Sequence, residues 1–415
     1  MNRLSVLAAG VSVAVLAGGA IAAAPAKKAA TAAKDPPPIA NYWMDVSTTS
    51  GMGTGMSPGA RPDMGAVMAM MNGGQAPVGH TLDLRLASRD KPAAAPKADH
   101  LIPPGLQMGV SLPLLTPVHE AAEPATPGMP AQWQQPKGRM LIYWGCGEHV
   151  SAGQPTVIDF SKMTPGKVPP GMEAMASMAN VVSGPTSAPG FGRWPNQQDS
   201  RAVPAAGSLI GAHKIEGNYS PEIDFSLAAG QDFMPGMGLR EAGALPSGAM
   251  RLVWQAAAPA TGYALGMFGA NASGDVIMWS SSNRAMMPAL DYLAPAEVKR
   301  LVAAGAVLSP STSQCVLPAE VAAAVPMGMV MGIGYGPEAY FAEKPKAPKW
   351  TARVRYKTTA SVMHGMAGMM GGGMAANGAG AGQGSQEQAQ QPQPQKKKRG
   401  FGLGDLLGGV VPVPH

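Results

Sequence analysis

Charge is scarce in this chain: Asp, Glu, Lys and Arg make up 13% of 415 residues, beside 54 Gly and 41 Pro. That balance leaves little material for long helices and predicts frequent turns. Beyond the amino-terminal segment, no apolar run has the length a bilayer requires. No Gly-rich phosphate loop and no dinucleotide-binding glycine pattern is present, so nucleotide chemistry has no support. The formal net charge of +6 does not describe a basic groove, because much of it sits in Arg3 and in the block Lys396, Lys397, Lys398, Arg399. Nucleic acid is therefore not an expected partner.

Catalytic words are lacking as well. Gly55-Met56-Ser57-Pro58-Gly59 has the letters of a nucleophile elbow, but its flanks are Gly, Thr and Pro instead of a strand and a helix. His119-Glu120-Ala121-Ala122-Glu123 comes near a zinc-protease word, yet it ends in Glu and lies between Pro117 and Pro124. No catalytic residue is assigned. An uncharacterised hydrolase remains an alternative to the expectation of a non-catalytic binding or scaffolding protein.

What is present begins with MNRLSVLAAGVSVAVLAGGAIAAAPA, where Arg3 precedes an apolar run ending in small residues. Residues 1–26 read as a secretory signal peptide, which predicts a periplasmic or secreted protein with an envelope partner. Residues 27–75 read as a linker rich in Pro, Gly and Met, with at most one short helix near Ala66 to Met71. From residue 76 the texture changes to short alternating runs, TLDLRLAS, LQMGVSLPLL, RMLIYWG, PTVIDFS and PEIDFSLA, punctuated by Pro and Gly. A second such region, 241–360, carries MRLVWQAA, TGYALGMFG, DVIMWSSS, SQCVLPAE, MGMVMGIGYG and WTARVRYKTT. One helix interrupts it at APAEVKRLVAAGAV, with Val298, Leu301 and Val302 at helical spacing and Gly305 at its end. Residues 361–415 form a low-complexity tail, expected to be disordered. Its basic block, followed by Phe401, Leu403, Leu406 and Leu407, allows a weak contact with an anionic membrane surface. The class predicted is mainly β, in two β-sandwich-like regions, 76–240 and 241–360.

Trp254 and Tyr263 stand on successive runs joined by AAAPATG. The pattern resembles the adjacent core strands of fibronectin type III and immunoglobulin-like sandwiches, and that resemblance implies architecture only. An internal echo runs through the first region. Gly147-x-His149-x3-Gly153 is followed by Ile158-Asp159-Phe160-Ser161, and Gly211-x-His213-x3-Gly217 by Ile223-Asp224-Phe225-Ser226. Two related hairpins are expected, with the Ile and Phe of each facing a core and the Asp facing outward.

The two cysteines, Cys146 and Cys315, form an even pair, which permits a bridge between the two regions in an oxidising compartment. The alternative leaves Cys146 free. Cys146-x2-His149-x4-Gln154 then resembles the ligand loop of cupredoxins, which implies copper held by Cys146, His149 and Gln154 with His100 or His119 as a second imidazole. The tail word SVMHGMAGMMGGGM, with Met363, His364, Met366, Met369, Met370 and Met374, resembles the Met and His clusters of periplasmic copper-handling proteins. Against the loop reading stands the second copy of the echo, where Ile210 takes the place of Cys146, and against the tail reading the wide spread of the 30 methionines along the chain, which suits core filling. No cofactor is the first expectation and copper the alternative. Taken whole, GRMLIYWGCGEHV and GDVIMWSSS resemble phrases of exported β-rich proteins of unknown function in Gram-negative bacteria, a likeness that implies no activity.

Overall fold

A computed structural model of the chain describes residues 36–51, 78–117, 138–162, 171, 183–287 and 289–365. Among these residues the strands form three sheets. The largest has nine strands in the spatial order β6 (Thr156–Asp159), β5 (Arg139–Trp144), β13 (Val276–Ser280), β12 (Gly262–Ala270), β15 (Gly328–Ala342), β16 (Trp350–His364), β1 (Ala40–Gly51), β2 (Val78–Ser88) and β7 (Gly190–Trp194). The second has four, β4 (Ser111–Pro113), β3 (Ala98–Leu101), β8 (Gly211–Gly217) and β9 (Ile223–Leu227). The third has three, β10 (Arg240–Ala244), β11 (Met250–Val253) and β14 (Gln314–Leu317). Within the large sheet β1 runs parallel to β16 and β13 parallel to β5, while its other pairs are antiparallel.

The mainly β class and its two sandwich-like regions follow from alternation. On β1, β2 and β16 every second residue is apolar and buried: Tyr42, Met44 and Val46, then Leu82, Leu84 and Leu86, then Ala352, Val354 and Tyr356. These pack against Leu112, Ile215, Ile223, Phe225 and Leu227 of the four-stranded sheet, forming one core. Each such fully buried leucine contributes roughly 2 kcal/mol by removal of its apolar surface from water. A second core lies between Tyr263, Leu265, Met267, Ile277, Trp279 and Val330 of the large sheet and Leu252, Cys315 and Leu317 of the three-stranded one. The short helix α2 (Ala319–Ala324) closes that core with Val321.

Helix α1 (Pro295–Ala303) matches the expected interruption: proline stands at its start and Val298 and Leu301 are buried. Gly305, at φ +68°, turns the chain in the left-handed region that a side chain would oppose. Among the described residues no helix is long and apolar enough to cross a membrane.

Several local expectations differ from the structure. Residues 40–51, read as part of a linker, form β1 near the middle of the large sheet, because the neighbouring Gly- and Met-rich sequence masked the alternation of YWMDVSTT. The boundary expected near residue 240 runs through the large sheet, which takes β1, β2, β5, β6 and β7 from one side of it and β12, β13, β15 and β16 from the other. The described residues through His364 belong to one compact unit. Trp254 and Tyr263 do share a core, with ring centroids 5.6 Å apart, but they face each other between sheets instead of lying on adjacent strands.

The echo diverges. Its second copy is the hairpin β8–β9, with Ile223 and Phe225 buried and Asp224 exposed. In the first copy His149 falls in the loop between β5 and β6, and Phe160 starts a short 3-10 turn. The signal segment 1–26 and the tail beyond Gly365 lie outside the described residues.

Candidate functional site

The strand alternation that feeds the first core has a second consequence. On the opposite face of β16, β1, β2 and β7 the intervening residues are polar, and backbone register sets them in rows. Arg355 lies opposite Asp45, which lies opposite Asp83. Lys357 lies opposite Ser47, and Ser47 opposite Thr81. Thr359 lies opposite Thr49. Arg85 lies opposite Arg193. Together with Ser183, Gly184, Asp291 and Tyr292 these side chains line a cleft of about 470 Å³, within the range of roughly 300–1,000 Å³ that small-molecule sites occupy.

Charges in the cleft are paired, but not evenly. Arg355 and Asp45 are only 3% and 5% exposed, and the Arg355 Nε–H donates to Asp45 Oδ1 at 2.6 Å. Lys357 donates to Asp291 Oδ1 at 2.6 Å. Burial alone would raise the Asp291 carboxyl, yet the Lys357 ammonium holds it below its ordinary range. Asp83 receives two guanidinium groups. Arg85 donates to it at 3.0 and 2.7 Å, and Arg193 at 3.2 and 2.8 Å. Burial works against the charge on Arg85, and the Asp83 carboxylate outweighs it.

The aromatic faces of the region are already covered. Trp43 carries Arg353 at 4.5 Å and Arg355 at 4.7 Å over its ring, while Tyr292 carries Arg355 at 4.4 Å and Lys357 at 4.2 Å. Burial pushes the Tyr292 phenol well above its usual value, with the Asp45 carboxylate adding to it. It is no candidate for an acid or base near neutrality. The cleft can hold and orient a polar molecule; among the described residues lining it there is no cysteine or histidine.

Behind this face, in the first core, lies a buried relay. Tyr42 Oη and His100 Nδ1 are 2.9 Å apart, His100 Nε2 and His213 Nδ1 2.9 Å, and His213 Nε2 and the Leu209 carbonyl 2.7 Å. A carbonyl only accepts, so His213 must carry its proton on Nε2 and accept on Nδ1. His100 then donates from Nε2 and accepts the Tyr42 hydroxyl at Nδ1. Burial holds His100 well below the ordinary histidine value, with His213 adding to the effect, and burial also lowers His213 against the pull of the Leu209 carbonyl. Both rings are neutral near pH 7.

The residues singled out from sequence sit elsewhere. Cys146 and Cys315 are joined in a disulfide with Cα atoms 5.2 Å apart. A disulfide sulfur is not the thiolate that the cupredoxin-like reading requires. Gln154 is occupied with Trp144, accepting its backbone N–H at 2.8 Å and donating to its carbonyl at 2.9 Å. His149 donates to Glu320 Oε1 at 2.9 Å. His100, a proposed second imidazole, is locked in the relay, and His119 lies outside the described residues.

His364 ends β16 and donates to Glu241, whose carboxylate raises the histidine's pKa; the Ala322 carbonyl adds to the effect. Met363 precedes it, while Met366, Met369, Met370 and Met374 lie outside the described residues. His149, His364, Glu320 and Met250 line one shallow concavity. Even so, among the described residues no group of three His, Cys, Asp or Glu side chains is placed to hold a metal ion.

The cleft itself was missed. Its signal was the run WTARVRYKTT, in which Arg353, Arg355 and Lys357 recur at strand spacing in a chain with little charge, matched by Asp83 and Arg85 in TLDLRLAS. No family model, no curated protein and no solved structure matches the chain, so the reading of this site rests on its own geometry.

Proposed function

We propose that the protein is a non-catalytic binding protein of the cell envelope, exported by its amino-terminal segment, which takes a small, strongly polar solute into the charged cleft. One observation carries this reading. In the large sheet Asp45 stands opposite Asp83 and Arg85 opposite Arg193. Like charges directly opposite one another weaken a strand pair. A buried ion pair such as Asp45–Arg355 also stabilises a fold less than apolar residues of the same volume would. Stability alone favours neither feature. A surface that positions donors and acceptors for a ligand would carry both.

Thermal-shift measurements on the purified full-length protein test the proposal, with panels of sugars, sugar acids, amino acids and apolar aromatic compounds. Polar solutes are expected to raise the melting temperature in a concentration-dependent way. The shift is expected to vanish in a Ser47→Val/Thr81→Val variant, which leaves the ion pairs in place. Stabilisation by apolar compounds alone, or none by any polar class, would overturn the reading.

A further inference from the structure

Among the described residues lining the cleft, the ion pairs leave one positive charge over. Arg355 is matched by Asp45 and Lys357 by Asp291. Arg85 and Arg193 share Asp83 alone, each using its Nε and Nη2 edge on both carboxylate oxygens. A carboxylate offers about four lone-pair sites, so Asp83 is saturated by these four bonds. The Nη1 donors of both guanidinium groups point away from it, and the pair keeps a surplus positive charge. The Arg193 side chain is 44% exposed, so the surplus is open to a solute. Its natural complement is a planar anion that accepts two parallel N–H bonds.

The rest of the lining narrows the class. Past the row of Asp45 and Asp83, Ser47 and Thr81 place hydroxyl groups on the same face, while Thr49 and Thr359 one row further bond each other at 3.0 Å; Ser47 and Thr81 suit a ligand carrying hydroxyls of its own. The rings of Trp43 and Tyr292 are already stacked under Arg353, Arg355 and Lys357. Neither is left for stacking against a nucleobase or an aromatic acid.

We infer that the cleft binds a hydroxylated monocarboxylate of the sugar-acid class, with its carboxylate at Arg193 and Arg85 and its hydroxyls toward Ser47 and Thr81. The inference rests on the cleft being a binding site and adds what it selects.

Isothermal titration of the full-length protein with glucuronate, glucose and inorganic phosphate tests it. Glucuronate is expected to bind at least about tenfold tighter than glucose, the least that a charge-assisted bidentate pair supplies. Higher salt is expected to weaken its binding. Arg193→Gln is expected to bring glucuronate down to the affinity of glucose. Lys349→Gln, a change of equal charge on an exposed lysine that does not line the cleft, is expected to leave it unchanged. Equal binding of glucose and glucuronate would overturn the anion subsite while leaving the cleft a binding site. Phosphate binding as tightly as glucuronate and displacing it would overturn the sugar-acid class. Failure of all three to bind, with other polar solutes still stabilising the protein, would overturn this inference alone; failure of every polar solute would overturn both readings.

Discussion

Protonation of the buried relay gives the most demanding test of the structure. Tyr42, His100 and His213 form a chain in which all four ring nitrogens are engaged, so an added proton requires a bond to be broken or the Tyr42 hydroxyl to turn and accept. Both histidines are held below their ordinary value by burial. Their sign follows from linkage. As pH falls below about 6.5 the unfolded chain takes up protons that the native relay refuses, so stability is full above that pH and declines below it. Each excluded proton gives a slope of about 1.4 kcal/mol per pH unit, so the two histidines together give at most roughly 2.7 kcal/mol per unit until the folded relay itself protonates. His80, also lowered by burial, adds in the same direction.

His364 has the opposite sign. Its pKa is raised, so its contribution is present below about 6.5 and lost as pH rises through the folded value. The two effects therefore act on opposite sides of the same pH. Urea unfolding followed by circular dichroism from pH 8 to 5 separates them, and stopping at pH 5 keeps most of the carboxylates out of the measurement. The Tyr42→Phe/His100→Leu/His213→Leu variant, which makes the relay apolar, is expected to lose most of the slope below pH 6.5 whatever its absolute stability. An equal slope in both proteins would refute the exclusion of protons from the relay.

Other perturbations probe separate parts of the fold. Replacing both Cys146 and Cys315 by Ser removes a bridge spanning 169 residues, and the chain-entropy argument puts the loss at up to about 5 kcal/mol in urea unfolding. A loss under about 1 kcal/mol would show that the unfolded chain is already constrained without it. At Gly336, beside the register shift between β15 and β16, a Cβ would lie 2.5 Å from the Tyr356 carbonyl oxygen and 2.7 Å from the Met234 sulfur. Gly336→Ala is expected to destabilise by about 1–3 kcal/mol. Gly147→Ala, whose Cβ meets nothing closer than 3.5 Å, is expected to stay within about 0.5 kcal/mol. Glu241→Gln is expected to lower the pKa of His364, as read from its imidazole resonances across a pH titration; an unchanged value would show that Glu241 is not what raises it.

Much of the strand content was legible because local alternation wrote it. RMLIYW, TGYALGMFG and WTARVRYKTT became β5, β12 and β16, and Pro295 and Gly305 bracket the helix as their chemistry requires. LQMGVSLPLL was less faithful: Leu106 closes a 3-10 turn and only Ser111–Pro113 pairs as a strand. What could not be read was pairing between segments far apart. Neither the placement of β1 beside β16 nor the meeting of His100 with His213 leaves a mark within either segment. The cleft failed to show for the same reason. Asp45, Asp83, Arg193 and Arg355 come from four strands, and only their register makes them neighbours. A four-residue word with cysteine and histidine drew attention instead, although its cysteine serves the bridge to Cys315 and its histidine an exposed pair with Glu320.

The pairing of β1 with β16 also joins segments made far apart in time. Asp45 and Asp83 face each other as soon as β1 meets β2, whereas the guanidinium that answers Asp45 is supplied some 310 residues later. A nascent chain lacking β16 would hold two carboxylates side by side with Asp45 unanswered, which discourages early closure of that edge. That edge of the sheet is completed only once β16 has been made.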